Sequence, residues 1–306
     1  MRFGVHVGIG KGFKATIAEA LEKRCDTIQI FAGNPRAFKR TPYDVAAWDE
    51  FRKLRKEHDI KPTVIHTSYL VNVVTSNKEL QRLSTILVAH DLELASRAGI
   101  EYVNTHLGSY GSEDRKAGFA RVVATLKELI ANASPGPMLL LENSAGAGNA
   151  CGGRIDELGE ILRAVGSPRI GVCLDTAHAW ASGYDIASQR GVDAFVALVR
   201  KHIGLKRVRA LHTNDTRVEL GAKRDLHWHI GEGNIGPAGF RAILSAPGLK
   251  HAAAICETPE ASHDAKNVAA LRKFAASGTA APRGKGPPRK APQTELSRAR
   301  GGRKRT

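Results

Sequence analysis

Short apolar runs alternate with longer amphipathic stretches along nearly the whole chain. The runs near Phe3–Val7, Thr27–Phe31, 62–66, 102–106, 138–142, 170–175, 208–212 and 252–257 have strand length and are bounded by polar or turn residues. Helical spacing fills the gaps, over about 14–23, 45–58, 78–98, 115–132, 155–165, 191–203, 237–245 and 264–276. Strands that alternate with helices pair in parallel through right-handed crossovers. Eight such units most simply close into one α/β barrel, a (β/α)8 TIM barrel of the xylose-isomerase-like kind, with its active site at the C-terminal strand ends. An open doubly wound sheet is the alternative. No short repeat or internal linker marks a second folded unit, so 1–277 reads as one domain.

Six of these runs end on a residue type that binds metals: Pro62-Thr-Val-Ile-His66, Tyr102-Val-Asn-Thr-His106, Met138-Leu-Leu-Leu-Glu142, Ile170-Gly-Val-Cys-Leu-Asp175, Val208-Arg-Ala-Leu-His212 and Ala252-Ala-Ala-Ile-Cys-Glu257. A single His at a strand end is more often a hydrogen-bonded structural residue. Six on one rim of one barrel would converge on a single pocket. His178 lies three residues past Asp175, and the loop after the seventh run adds Asp225 and His227. Nitrogen and oxygen donors without thiolate suit zinc-like ions, with Mn²⁺ or Fe²⁺ as possible substitutes.

Composition changes the picture in two ways. The 306 residues are 42% hydrophobic, ordinary for a full core, and no apolar stretch approaches the roughly 20 residues needed to span a bilayer. The N-terminus enters a strand pattern directly and is not read as a secretory signal. The four cysteines form no C-x-x-C pair, which points to buried thiols and a cytoplasmic setting. The net charge of +16 is uneven: nine Lys or Arg stand against one Glu between Pro282 and Thr306, half of the excess. With its Pro and Gly content, 278–306 is expected to be a disordered basic tail, either solubilising or adding salt-sensitive affinity for DNA phosphates.

Several of these residues fall in motifs that resemble the endonuclease IV family, the zinc-dependent apurinic/apyrimidinic endonucleases (AP endonuclease family 2). The motifs are His66-Thr-Ser-Tyr-Leu-Val-Asn72, Gly171-Val-Cys-Leu-Asp-Thr-Ala-His178, His212-Thr-Asn-Asp215 and Asp225-Leu-His-Trp-His-Ile-Gly-Glu-Gly-Asn-Ile-Gly236. Glu142-Asn-Ser-Ala-Gly-Ala-Gly148 and His6 also fit, and the likeness spans about residues 2 to 276. It implies three zinc ions. His66, His106 and Glu142 would hold one; Glu142 would bridge to a second, completed by Asp175, His212 and Glu257; His178, Asp225 and His227 would hold the third. A hydroxide between two ions would attack the phosphorus 5′ to an abasic site, leaving a 3′-hydroxyl and a 5′-deoxyribose phosphate. Clearing of blocked 3′ ends is a further expectation.

The resemblance also implies DNA contacts. Tyr69 and Leu70 match wedge residues that fill the gap in a base stack, and Arg36 matches a residue that enters the duplex. The partner would be double-stranded DNA with abasic sites, met by a monomer without membrane association. Family members usually read Asn-Asp-Ser-Lys and Asp-Arg-His where this chain has Asn214-Asp-Thr-Arg217 and Asp225-Leu226-His227. Arg217 and Arg224 are the nearby guanidinium groups able to take the missing arginine's place. Trp228, His229, His90, His58 and His202 are assigned no role. Two other readings fit part of the pattern: a sugar isomerase or epimerase using Glu142, Asp175, His212 and Glu257, and a non-catalytic DNA-binding module suggested by charge alone.

Overall fold

A computed structural model of the chain describes residues 1–40 and 44–277; the tail assigned to 278–306 lies outside the described residues. Eight parallel strands close into a barrel in strict chain order, so the open-sheet alternative is excluded. They are β1 (Arg2–His6), β2 (Thr27–Phe31), β3 (Thr63–His66), β4 (Tyr102–Thr105), β5 (Met138–Glu142), β6 (Ile170–Asp175), β7 (Val208–His212) and β8 (Ala253–Cys256). Helices α1 (Phe13–Glu22), α2 (Val45–Glu57), α3 (Lys78–Ala98), α4 (Arg115–Asn132) and α5 (Ile155–Val165) follow the first five strands. After β6 come α6 (Thr176–Ala181) and α7 (Gln189–His202), then α8 (Gly236–Ser245) after β7 and α9 (Asp264–Ser277) after β8.

Alternation along each strand divides the apolar residues between two compartments. Phe3, Val5, Ile28, Ile30, Ile65, Val103, Leu139, Leu141, Val172 and Leu174 join the outer core beneath the helices. Val64, Ala253 and Ile255 pack with Tyr102 inside the barrel, and Leu140, Cys173 and Ala210 form a neighbouring inner group. One step of two residues further along, the same inward face presents His66, Glu142, Asp175, His212 and Glu257. Packing thus fills the barrel floor with aliphatic side chains and leaves its C-terminal mouth to polar ones.

Local signals fix the ends of several helices. Asn77 caps α3 by accepting the Leu80 N–H at 2.9 Å, and Gly99 ends it in the left-handed region at φ 65°. Asp114 caps α4 in the same way. One helix escaped the sequence reading: α6 starts immediately at the end of β6, because Asp175 caps it by accepting the His178 N–H at 2.8 Å. Among the described residues no helix is long and apolar enough to cross a membrane. All four cysteines are buried free thiols.

Barrel closure between β1 and β2 requires a residue without a side chain at position 4. A Cβ on Gly4 would lie 1.7 Å from the Thr27 carbonyl oxygen, which is backbone in the neighbouring strand and cannot turn aside. Gly4→Ala should therefore cost about 3 kcal/mol; an unchanged midpoint in denaturant unfolding would contradict this account of closure.

Candidate metal centre

The strand ends and the short α6 bring seven of the nine candidate ligands together, and the loop after β7 adds Asp225 and His227. Ligand atoms of His66, His106 and Glu142 lie within 4.8 Å of one another, as do those of Glu142, Asp175, His212 and Glu257, and those of Asp175, His178 and His227. Glu142 belongs to the first two groups and Asp175 to the last two, so the groups form one continuous centre. His106 and Glu257 lie one residue beyond their strands, which end at Thr105 and Cys256. Asp225 Oδ1 is 3.2 Å from His178 Nε2 and 3.1 Å from His227 Nε2. The sharing of Asp175 with the third group is an addition to the sequence reading.

Backbone carbonyls decide which nitrogen of His66, His178 and His227 faces the centre. His66 Nδ1–H donates to the Thr67 carbonyl at 2.7 Å, and its Nε2 stands 3.3 Å from Glu142 Oε2. His178 Nδ1–H donates to the Asn143 carbonyl and His227 Nδ1–H to the Glu257 carbonyl, both at 2.9 Å. Their Nε2 lone pairs then face each other at 3.4 Å. His212 is held the other way round: its Nε2–H donates to Gln29 Oε1 at 2.8 Å, so Nδ1 points at Glu142 Oε1 (3.0 Å) and Glu257 Oε2 (2.9 Å). As neutral rings these histidines turn lone pairs toward the carboxylates, so the centre is held together only when protons or cations sit between them. That donor chemistry fits divalent cations, and outer hydrogen bonds of this kind orient metal-binding imidazoles.

Electrostatics point the same way. Burial opposes charge on Glu142, yet His106 and His212 beside it, with hydrogen bonds from His178 and His212, hold its carboxyl well below the usual range. Glu257, against buried His212, and Asp225, against His178 and His227, are also held low. Burial disfavours protonated rings, but the carboxylates overcome it. His178 and His212 are raised well above 6.5, and His227, next to Asp175 and Asp225, is raised to about 9. Burial instead lowers His6 to about 4 and pushes the Cys173 thiol up to about 12, which keeps sulfur out of the donor set.

Several orienting residues were missed in the sequence. Gln29 donates to Glu257 Oε1 at 2.5 Å while accepting from His212, and its amide also reaches His6 Nδ1 at 3.1 Å. Asn104 donates to Glu142 Oε2 at 2.5 Å; Asn214 donates to Asp175 Oδ2 at 2.7 Å and accepts the Glu257 N–H at 2.7 Å. Buried Asp215 organises the long loop that delivers Asp225 and His227, accepting N–H groups of Thr216, Gly231, Gly233, Ile235 and Gly236 at 2.8–3.2 Å. A Cβ at Gly233 would lie 2.5 Å from its Oδ1, so that approach needs glycine. Neither Gln29 nor Asn104 was singled out in the sequence, because nothing there tells an orienting amide from a structural one.

Around the mouth, Tyr69 is 60% exposed, with its edge on Phe31, while Leu70 is half-buried. The Tyr69 N–H and the Ser68 hydroxyl both donate to the Pro35 carbonyl, which ties the β3 loop to the β2 loop carrying exposed Arg36. Leu226 is 43% exposed. Arg217 stacks on the Trp228 ring at 3.4 Å from its centroid. A cavity of about 720 Å³, lined in part by His6, Phe31, Asn34 and Trp48, opens beside the centre.

A family model described as a xylose isomerase-like TIM barrel matches residues 17–277. The probable endonuclease 4 of Methanoculleus marisnigri is 39% identical over 276 residues, covering 89% of this chain and 98% of that relative. Its counterpart in Natranaerobius thermophilus is 38% identical over 269 residues, covering 88% and 95%. The crystal structure of endonuclease IV from Thermus thermophilus superposes with a TM-score of 0.80 at 34% identity, covering 90% of this chain and all of that one. A D-tagatose 3-epimerase-like protein, 21% identical with a TM-score of 0.72, shares the fold alone. The motifs, the closed barrel and this kinship over nine-tenths of the chain agree: it belongs to the endonuclease IV family.

Proposed function

We propose that this chain is a DNA-repair endonuclease that hydrolyses the phosphodiester 5′ to an abasic site, leaving a 3′-hydroxyl and a 5′-deoxyribose phosphate. The observation behind this reading is the run of three ligand groups linked through Glu142 and Asp175 on one barrel rim. His66, His106 and Glu142 would hold one zinc-class cation, Glu142, Asp175, His212 and Glu257 a second, and His178, Asp225 and His227 a third. Bound there, such cations would neutralise phosphodiester charge and activate water near neutral pH.

The chain's own residues supply position and selectivity. Asn104 and Gln29 hold the carboxylates of Glu142 and Glu257 in place. The Asp215-centred loop fixes His227 and brings Asp225 across the mouth. Tyr69, exposed on its tied loop, has the reach of a stacking wedge, with Leu70 beside it and Arg36 entering from the β2 loop. A nucleotide without its base costs less to extrude, so a wedge favours abasic over intact DNA. An epimerase would need only the second group, leaving His66, His106, His178 and His227 converging to no purpose.

A duplex with one tetrahydrofuran abasic analogue should be nicked on its 5′ side by the metal-loaded protein and left whole after chelation. Turnover of ketoses without nicking would overturn the assignment. Tyr69→Ala should lower discrimination for abasic over intact duplex about tenfold with metal content unchanged; equal discrimination would remove the wedge role. In the chelated protein, protonated His178, His212 and His227 contribute stability fully present below their ordinary 6.5 and lost as pH rises through about 9 for His227. Its thermal midpoint should fall across that window while that of the loaded protein holds or rises. Parallel profiles would show that cations do not replace those protons.

A further inference from the structure

We propose that His229, Glu260 and His263 form a separate divalent-cation site between the loops that follow β7 and β8. One ligand atom from each lies within 4.8 Å of the others, as in the central groups. His263 Nδ1 stands 3.1 Å from Glu260 Oε2, close to the 3.3 Å between His66 Nε2 and Glu142 Oε2. That separation is what two ligands on one small cation adopt, given metal–donor distances of about 2.0–2.2 Å. The His229 and His263 rings lie face to face at 4.4 Å with 26° between their planes. Two stacked imidazoles beside one carboxylate bring three ligand-type atoms within 4.8 Å of one another, near enough for one cation to be shared among them.

Two further features shape the site. His229 is only 5% exposed, and its Nδ1 is reached by the Asn267 amide at 3.4 Å, a long contact that engages the lone pair weakly. Asn267 is itself fixed, donating to Thr258 Oγ1 at 2.7 Å and accepting the Ile230 N–H at 3.0 Å, so it holds the ring in place. Glu260 sits at φ 62°, a left-handed conformation that favours glycine or asparagine and that a glutamate adopts at a cost. Nearby Asp264 is already paired with Lys23 at 2.8 Å and leaves Glu260 as the carboxylate donor.

Two imidazoles and one carboxylate with open outer positions suit Zn²⁺, Co²⁺ or Ni²⁺. A cation there would clamp the β7 loop to the turn after β8. Those two segments carry His227 and Glu257 of the central cluster, so the clamp would stiffen its support without taking part in chemistry. The site is separate from the proposed nuclease centre and does not depend on that reading.

The test is the number of ions bound by the full-length protein at saturating Co²⁺, measured by equilibrium dialysis and elemental analysis. His263→Ala should bind one ion fewer per chain than the unaltered protein, and Glu260→Gln, which keeps side-chain size on an exposed turn, should weaken the same ion at least tenfold. Because the measurement is a difference, it holds whatever the centre itself contains. Equal stoichiometry and affinity in either folded variant would overturn the proposal.

Discussion

The constraint on which this molecule depends is the burial of carboxylates in one small chamber. Glu142 and Asp175 are shut away from water, and Glu257 is largely so. Burial of an isolated carboxylate is prohibitively unfavourable without compensating charge and hydrogen bonds. The chain answers with amides on the outside and imidazoles on the inside. Gln29, Asn104 and Asn214 supply neutral donors to the carboxylates. The rings direct their N–H groups away, to main-chain carbonyls or Gln29, and leave lone pairs inward. What remains unmet is positive charge, which protons or metal ions must bring.

Most of the architecture was legible because two periodicities were unambiguous. Alternating strands and helices pointed to a parallel barrel, and the position of His66, Glu142, Asp175 and His212 at strand ends placed them at one rim. The short α6 was not visible, because Asp175 serves at once as strand end, candidate ligand and helix cap, and six residues are too few for a helical period to show. The amides and Asp215 were hidden for another reason. A buried Gln or Asn has no signature until its partners are placed, and those partners come from strands tens of residues away. His229 and His263, 34 residues apart, likewise meet only through the fold.

Kinship and chemistry divide cleanly between levels. The barrel is shared with an epimerase-like protein at 21% identity, so the scaffold by itself fixes no reaction. In this chain the candidate ligand set extends to both sides of the central group, with His66 and His106 on one flank and His178 and His227 on the other. Both flanks lie at or beyond the C-terminal ends of strands, the positions of this fold freest to vary without disturbing the packed floor.

Gly231-Glu-Gly233-Asn-Ile-Gly236 has the spacing of the glycine fingerprint that cradles a dinucleotide's pyrophosphate. Here its amides are already saturated by the carboxylate of Asp215, an anion supplied from within the same polypeptide. The cradle is thus a lock whose key was built into the chain. Sequence searches for cofactor fingerprints would misread it, since the ligand it was shaped for never has to arrive.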